Sequence, residues 1–183
     1  MAWYEADLSD PAAPAAIFQA IQAELGPVSA LVSSHARSRR GGIFDTTVED
    51  FDAHMAVNAR ASLLLIREFA SRLPRDVPGR IVGLTSDAVH GEVAYGASKA
   101  ALDRITVAAA VELAPRGITV NAVNPGPNAT GWMTEEQERL CHATLRAGGW
   151  ACPLTRRRWL PSSAPRTRPG SPAKSSQVTA ASE

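Results

Sequence analysis

The chain has 183 residues, a length that suits one domain, and 45% apolar content to supply a core. A formal net charge of +1 gives no basic surplus for nucleic acid or a membrane surface, and two cysteines make neither a disulfide framework nor a zinc-ligand spacing. No apolar run approaches the ~20 residues of a membrane span and no basic-then-apolar signal opens the chain, so a cytoplasmic protein is expected.

Residues 3–6 read as a short strand. Asp10 reads as the cap of a helix, with Pro11 suited to its first turn, running to about residue 25. Gly26-Pro27 ends it, and residues 29–33 read as the next strand. Arg37, Arg39 and Arg40 follow in a solvated loop. Thr47 and Asp50 resemble a capping box, with Asp in place of the usual Glu. They open a long helix to about residue 73, with Phe51, Met55, Leu63, Ile66 and Phe69 as expected core residues. Pro74 and Pro78 mark a turn. Residues 80–84 read as a buried strand running into polar Thr85-Ser86. A helix over 94–114 is closed by Pro115-Arg116-Gly117, and residues 118–123 form the last strand before Asn124-Pro125-Gly126. Strands alternating with helices predict a parallel α/β sheet with right-handed crossovers. Past about residue 140 the apolar period fades into Arg, Pro and Ser. That composition predicts a body over 1–140 and a disordered, basic, low-complexity tail over 141–183. His35, His54, His90 and His142 are scattered, so no metal site is expected.

The chemistry concentrates at Tyr95-Gly96-Ala97-Ser98-Lys99. A tyrosine and a lysine one helical turn apart project from the same face. An ammonium close to a phenol favours the phenolate and lowers the tyrosine pKa from about 10. Such a group serves as general acid or base between a carbonyl and an alcohol. Ser86, just upstream, has a hydroxyl suited to holding the carbonyl oxygen, with Thr85 as the alternative. By spacing alone, such a tyrosine–lysine pair reads more readily as a surface pair; the strands and the helix around it reverse that reading.

The order strand, Ser, Tyr, Lys, helix, strand, Asn-Pro-Gly resembles the short-chain dehydrogenase/reductase family, over about residues 3–133. Asp7, with Leu8 beside it, matches the aspartate after the family's third strand, which contacts the adenine. Asn58, Ser86, Tyr95 and Lys99 match the catalytic tetrad. Pro125 and Gly126 match the loop that passes the nicotinamide, and Thr130-Gly131-Trp132-Met133 looks like the oxoacyl-reductase-like branch. The resemblance implies hydride transfer between NAD or NADP and a small-molecule carbonyl or alcohol. Tyr95 then donates the proton, Lys99 binds the nicotinamide ribose, Ser86 orients the substrate and Asn58 holds a water that links Lys99 to solvent. Asp7, Leu8, Asn58, Tyr95, Lys99, Pro125 and Gly126 are the implied cofactor contacts.

The departures are specific. No Gly-rich turn between a strand and a helix provides a pyrophosphate site. The fold implied is a partial, Rossmann-like, doubly wound parallel sheet lacking its first two strands and its last. The first strand here then stands about 14 Å from the next, three spacings of ~4.8 Å, with nothing in between, or it moves in beside that strand and displaces Asp7 from its implied place. Ser33-Ser34-His35-Ala36 stands where the family usually has Asn-Asn-Ala-Gly. Two functions follow as expectations: an oxidoreductase of weak or no activity as it stands, or a non-catalytic remnant acting through oligomerisation by its two long helices.

Overall fold

A computed structural model describes residues 3–86 and 92–125. Three parallel strands form one sheet in the order β1-β2-β3: β1 is Ala30–Ser33, β2 Gly79–Leu84 and β3 Ile118–Val123. Leu31 pairs with Ile81, and Ile81 with Val120. Each strand follows a helix: α1 is Ala13–Leu25, α2 Val48–His54, α3 Ala61–Arg72 and α4 Val93–Leu113. A π-helical turn, Met55–Arg60, joins α2 to α3 in one continuous run. The parallel α/β sheet read from the sequence is therefore present, and β3 has the expected bounds.

Residues 3–6 form no strand. A strand exists through its ladder, and among the described residues none lies beside this segment. Tyr4 instead lays its hydroxyl on Glu24 of α1, 2.6 Å away. Helix α1 also begins later than the sequence pattern places it. Asp10 closes a turn ahead of it, accepting from Ala12 N at 2.8 Å, and Pro14 rather than Pro11 sits in the first turn. At its end Gly26 has φ 79°, a positive value that glycine adopts without strain.

The core lies on one face of the sheet. Leu31, Ile81, Ile118 and Val120 meet Ile17, Phe18 and Ile21 of α1 and Leu65, Ile66 and Phe69 of α3. Phe18 and Phe69 pack edge to face with centroids 6.4 Å apart. Arg116 fastens this layer, donating to the Leu73 carbonyl at 3.0 Å and to that of Ala70 at the end of α3. Three expected core residues are outside it: Met55 is only half-buried, and Phe51 and Leu63 are 39% and 48% exposed. The π-helical turn is the reason for Phe51. In an unbroken α-helix Phe51 lies five turns from Phe69 and shares its face, but one extra residue in the turn rotates it by roughly 100°. Leu63 lies off the stripe that Leu65, Ile66 and Phe69 define.

Candidate active site

The strands' C-terminal ends carry Ser33, Thr85–Ser86 and Asn124–Pro125, and the Tyr95 helix packs on β3 beside them. In parallel α/β sheets this end is where ligands bind, in the crevice beyond the strands. Thr47 starts the run that brings Asn58 here: its side chain accepts from Asp50 N at 3.2 Å. The reciprocal half of the capping box is not used. The Asp50 carboxylate instead takes the Arg39 guanidinium at 2.7 Å. His54, fully buried, donates from Nδ1 to the Asp50 carbonyl and accepts Arg39 N on Nε2 at 3.0 Å.

Asn58 is fully buried at the centre of a hydrogen-bonded junction. Its Oδ1 accepts from Arg37 N at 2.7 Å, and its Nδ2 donates to Arg37 O at 2.9 Å and to Ser98 Oγ at 2.8 Å. All three side-chain bonds reach other segments: two to the loop after β1, one to α4. Ser98 in turn donates to the Tyr95 carbonyl at 2.7 Å. Asn58 is thus bound to the turn that carries Tyr95. The Asn58 carbonyl accepts from Ser62 Oγ at 2.8 Å.

The Tyr95 hydroxyl is hydrogen bonded to Ser86. The Lys99 side chain is buried, its Nζ donates to the Leu84 carbonyl at 2.8 Å, and it lies 5.7 Å from the Tyr95 ring centroid. The structure therefore brings Ser86, Tyr95 and Lys99 together, with Asn58 one hydrogen-bonded step away through Ser98.

One electrostatic expectation is corrected. The Tyr95 pKa is raised, not lowered. Burial is the largest influence, the Ser86 hydrogen bond acts downward, and Glu92 acts upward. Lys99 commits a proton to the Leu84 carbonyl instead of to the phenol oxygen, and its own pKa is lowered to about 8 by burial, against an opposing pull from Asp103. Tyr95 is therefore protonated at neutral pH, the state a proton donor needs.

The other implied cofactor contacts are placed less directly. Asp7 turns its carboxylate onto Ser9, with N and Oγ both at 2.8 Å, and these bonds lower its pKa. Leu8 is buried in the core. Arg60, at the end of the π-helical turn, donates to Ser9 O and ties this corner to the Asn58 segment. Pro125 is exposed beyond β3. Gly126, the residues from Thr130 to Met133, His90, His142, both cysteines and the tail over 141–183 lie outside the described residues.

Ser98, Ser62 and His54 were not singled out from the sequence, although each belongs to this junction. The missed signal is a buried stripe that is polar: His54, Asn58 and Ser62 recur every four residues on one helical face. Among the described residues no cluster of His, Cys, Asp or Glu could hold a metal ion, and no helix is long and apolar enough to cross a membrane.

The profile of a family described as enoyl-(acyl carrier protein) reductase matches residues 1–147. The uncharacterized oxidoreductase YjdA of Bacillus subtilis is 42% identical over 136 residues, covering 71% of this chain and 54% of that protein. An Arabidopsis thaliana chloroplastic protein, named as NADPH-dependent aldehyde reductase-like, is 39% identical over 133 residues, covering 69% of this chain and 49% of that one. Among solved structures, the angucycline C-6 ketoreductase LanV with bound NADP superposes with a TM-score of 0.64 at 31% identity, over 74% of this chain and 57% of that one. The chain spans about half the length of the curated relatives it matches.

Proposed function

The chain belongs to the short-chain dehydrogenase/reductase family, and from that premise we propose that it serves an oxidoreductase that interconverts a small-molecule carbonyl and its alcohol. The observation that carries this reading is the Tyr95–Ser86 hydrogen bond formed beside buried Lys99 at the C-terminal end of a parallel sheet. A nicotinamide cofactor, when bound, supplies the hydride. The residues fit its nicotinamide end. Lys99 gives one of its three N–H donors to Leu84 and retains two for a ribose. Ser33 and Thr85 hold buried hydroxyls with no partner among the described residues, at the same end of the sheet. NADP is the proposed form, on the names of the Arabidopsis relative and of the NADP-bound ketoreductase.

Each side chain then has a defined task. Tyr95, held protonated by burial, gives its proton to the carbonyl oxygen. Ser86, bonded to Tyr95 before substrate arrives, fixes where that oxygen sits. Lys99, buried beside the ring, stabilises the tyrosinate left after transfer. Asn58 locks the Tyr95 turn through Ser98. The test is a fluorescence titration with NADPH. Saturable binding that Lys99→Ala weakens is the expected result, and no binding by the full chain overturns the reading.

A second reading, association without catalysis, draws on exposed apolar side chains along the two long helical runs: Val48 at 72%, Leu63 at 48% and Val111 at 73% exposure. A defined oligomer by light scattering, without NADPH binding, is its signature. A self-association of this kind is compatible with the first reading too.

A further inference from the structure

We infer that His35 is a positioning residue: its imidazole anchors the π-helical turn that carries Asn58, and so holds Asn58 against Ser98 on the helix of Tyr95 and Lys99. The inference rests on the oxidoreductase reading for its purpose and on geometry for its substance. In an ordinary α-helix each carbonyl accepts from the N–H four residues on. Here Ala61 N reaches back five residues, to the Ala56 carbonyl. The next carbonyl, that of Val57, takes the His35 imidazole, with Nε2 at 3.0 Å. Two residues along the same loop, the Arg37 backbone grips the Asn58 side chain with both its N–H and its C=O. The loop after β1 therefore clamps the turn at two consecutive residues.

The clamp requires one tautomer. A carbonyl only accepts, so Nε2 must carry the proton that goes to Val57. The second neighbour agrees. Ser62 Oγ lies 3.4 Å from Nε2 and already donates its proton to the Asn58 carbonyl, so it too faces His35 as an acceptor. Nε2 thus carries a proton, and that leaves Nδ1 bare in the neutral ring. Its environment favours that state: burial foremost, then the Lys99 ammonium, pushes the His35 pKa down to about 4. Leucine fills a similar volume without the donor. Glutamine carries an amide N–H that can reach a carbonyl.

The experiment uses the full chain, labelled with nitrogen-15. Long-range proton–nitrogen spectra at pH 7 are expected to show His35 as the Nε2–H tautomer. The Asn58 side-chain amide protons are expected to exchange slowly with solvent in the unaltered chain and in His35→Gln. In His35→Leu they exchange at least about tenfold faster, while the β2 amides keep their rates. NADPH affinity is expected to fall about tenfold in His35→Leu and to return to within about twofold of the unaltered chain in His35→Gln. An Nδ1–H tautomer, undiminished Asn58 protection in His35→Leu, or failure of glutamine to restore what leucine loses overturns the inference. If His35→Leu does not fold, the tautomer and the His35→Gln protection decide. An unaltered chain that binds no NADPH ends the oxidoreductase reading, whereas tautomer and exchange still judge His35.

Discussion

Where β2 begins, Gly79 lies so close under α3 that a Cβ there would meet Leu73 at 2.8 Å and Phe69 at 2.9 Å; beyond its other end, Thr85 holds a buried hydroxyl that bonds to nothing among the described residues. The first end is lined by apolar side chains packed to contact, with the Arg116 guanidinium on the last carbonyls of α3 beside them. The second carries Ser33, Thr85 and Ser86, a lysine on a main-chain carbonyl and a tyrosine on a serine. The difference teaches how one small sheet divides its labour. Close packing at the start of the strands holds the layers. The hydroxyls of Ser33 and Thr85, left without a partner among the described residues, lie at the edge where open parallel sheets bind ligands, within reach of the proposed cofactor.

Breaking the chemical end alone should give the largest effect. Tyr95→Phe removes the donated proton but keeps the half-buried ring. NADPH-dependent carbonyl reduction is expected to fall about 10²–10⁴-fold, the worth of a positioned general acid. Thermal melting should stay within error of the unaltered chain. A comparable loss of melting temperature would mean that the two ends are not separable.

Breaking the packed end alone should do the reverse. Phe69 is 1% exposed and meets Phe18 edge to face. Phe69→Ala is expected to destabilise the chain by about 3–5 kcal/mol in denaturant titration, the usual cost of emptying an aromatic site. NADPH affinity of the fraction that remains folded should change little.

How far this division could be read from the sequence differs between the ends. The packed end was legible because apolar periodicity and turn chemistry agree: β3 and the glycine-closed end of α4 fall where expected, and so do Ile66 and Phe69 in the core. At the chemical end the motif residues were legible as residues, but their connections were not. That Asn58 holds Ser98 depends on a π-helical turn, a hydrogen-bond choice with no compositional signal. The same turn moved Phe51 out of the core. The direction of the Tyr95 shift depends on burial and on where Lys99 spends its hydrogen bond, and spacing reports neither. Residues 3–6 have strand composition, but a strand needs a neighbour.

The pH response should sharpen the comparison. His35 has a folded pKa of about 4 against 6.5 for the free side chain. Between those values the unfolded chain holds more protons, so stability rises with pH and is lost as pH falls from 6.5 toward 4. At full protonation the loss is on the order of 3 kcal/mol. Lys99, at about 8 against 10.5, gives a second rise with pH across that higher window. Denaturant titrations from pH 4 to 10 should show both slopes. His35→Gln should flatten the acid one and leave the alkaline one. The lowered pKa of Asp7 acts below the acid window, and that of Glu49 from 4.5, near the window's lower edge, downward, with the same sign.

A milder disturbance of the packed end comes from a single methyl. Gly79→Ala pushes a Cβ into Leu73, Phe69 and Ile118, of which the last is 3.0 Å away. The lining side chains must shift, at about 1–3 kcal/mol. A shift of the denaturation midpoint without a change in slope is the expected readout. An unchanged midpoint would show that α3 can move off the sheet freely.

The smallest expected effect on stability belongs to Thr85→Val, and it separates the two ends most cleanly. The substitution keeps the shape of the side chain and removes a hydroxyl that bonds to no described group. A buried hydroxyl without a partner contributes nothing to hold the fold, and taking it away relieves its lost hydration. Stability should therefore stay level or rise by up to about 1 kcal/mol. If that hydroxyl is kept for the cofactor, NADPH affinity should fall, by up to about tenfold for one hydrogen bond. A variant that is more stable and binds less well is the outcome that ties the orphaned group to the ligand. A variant that binds NADPH as before would assign the vacancy at Thr85 to packing alone and leave Ser33 as the hydroxyl still to be explained.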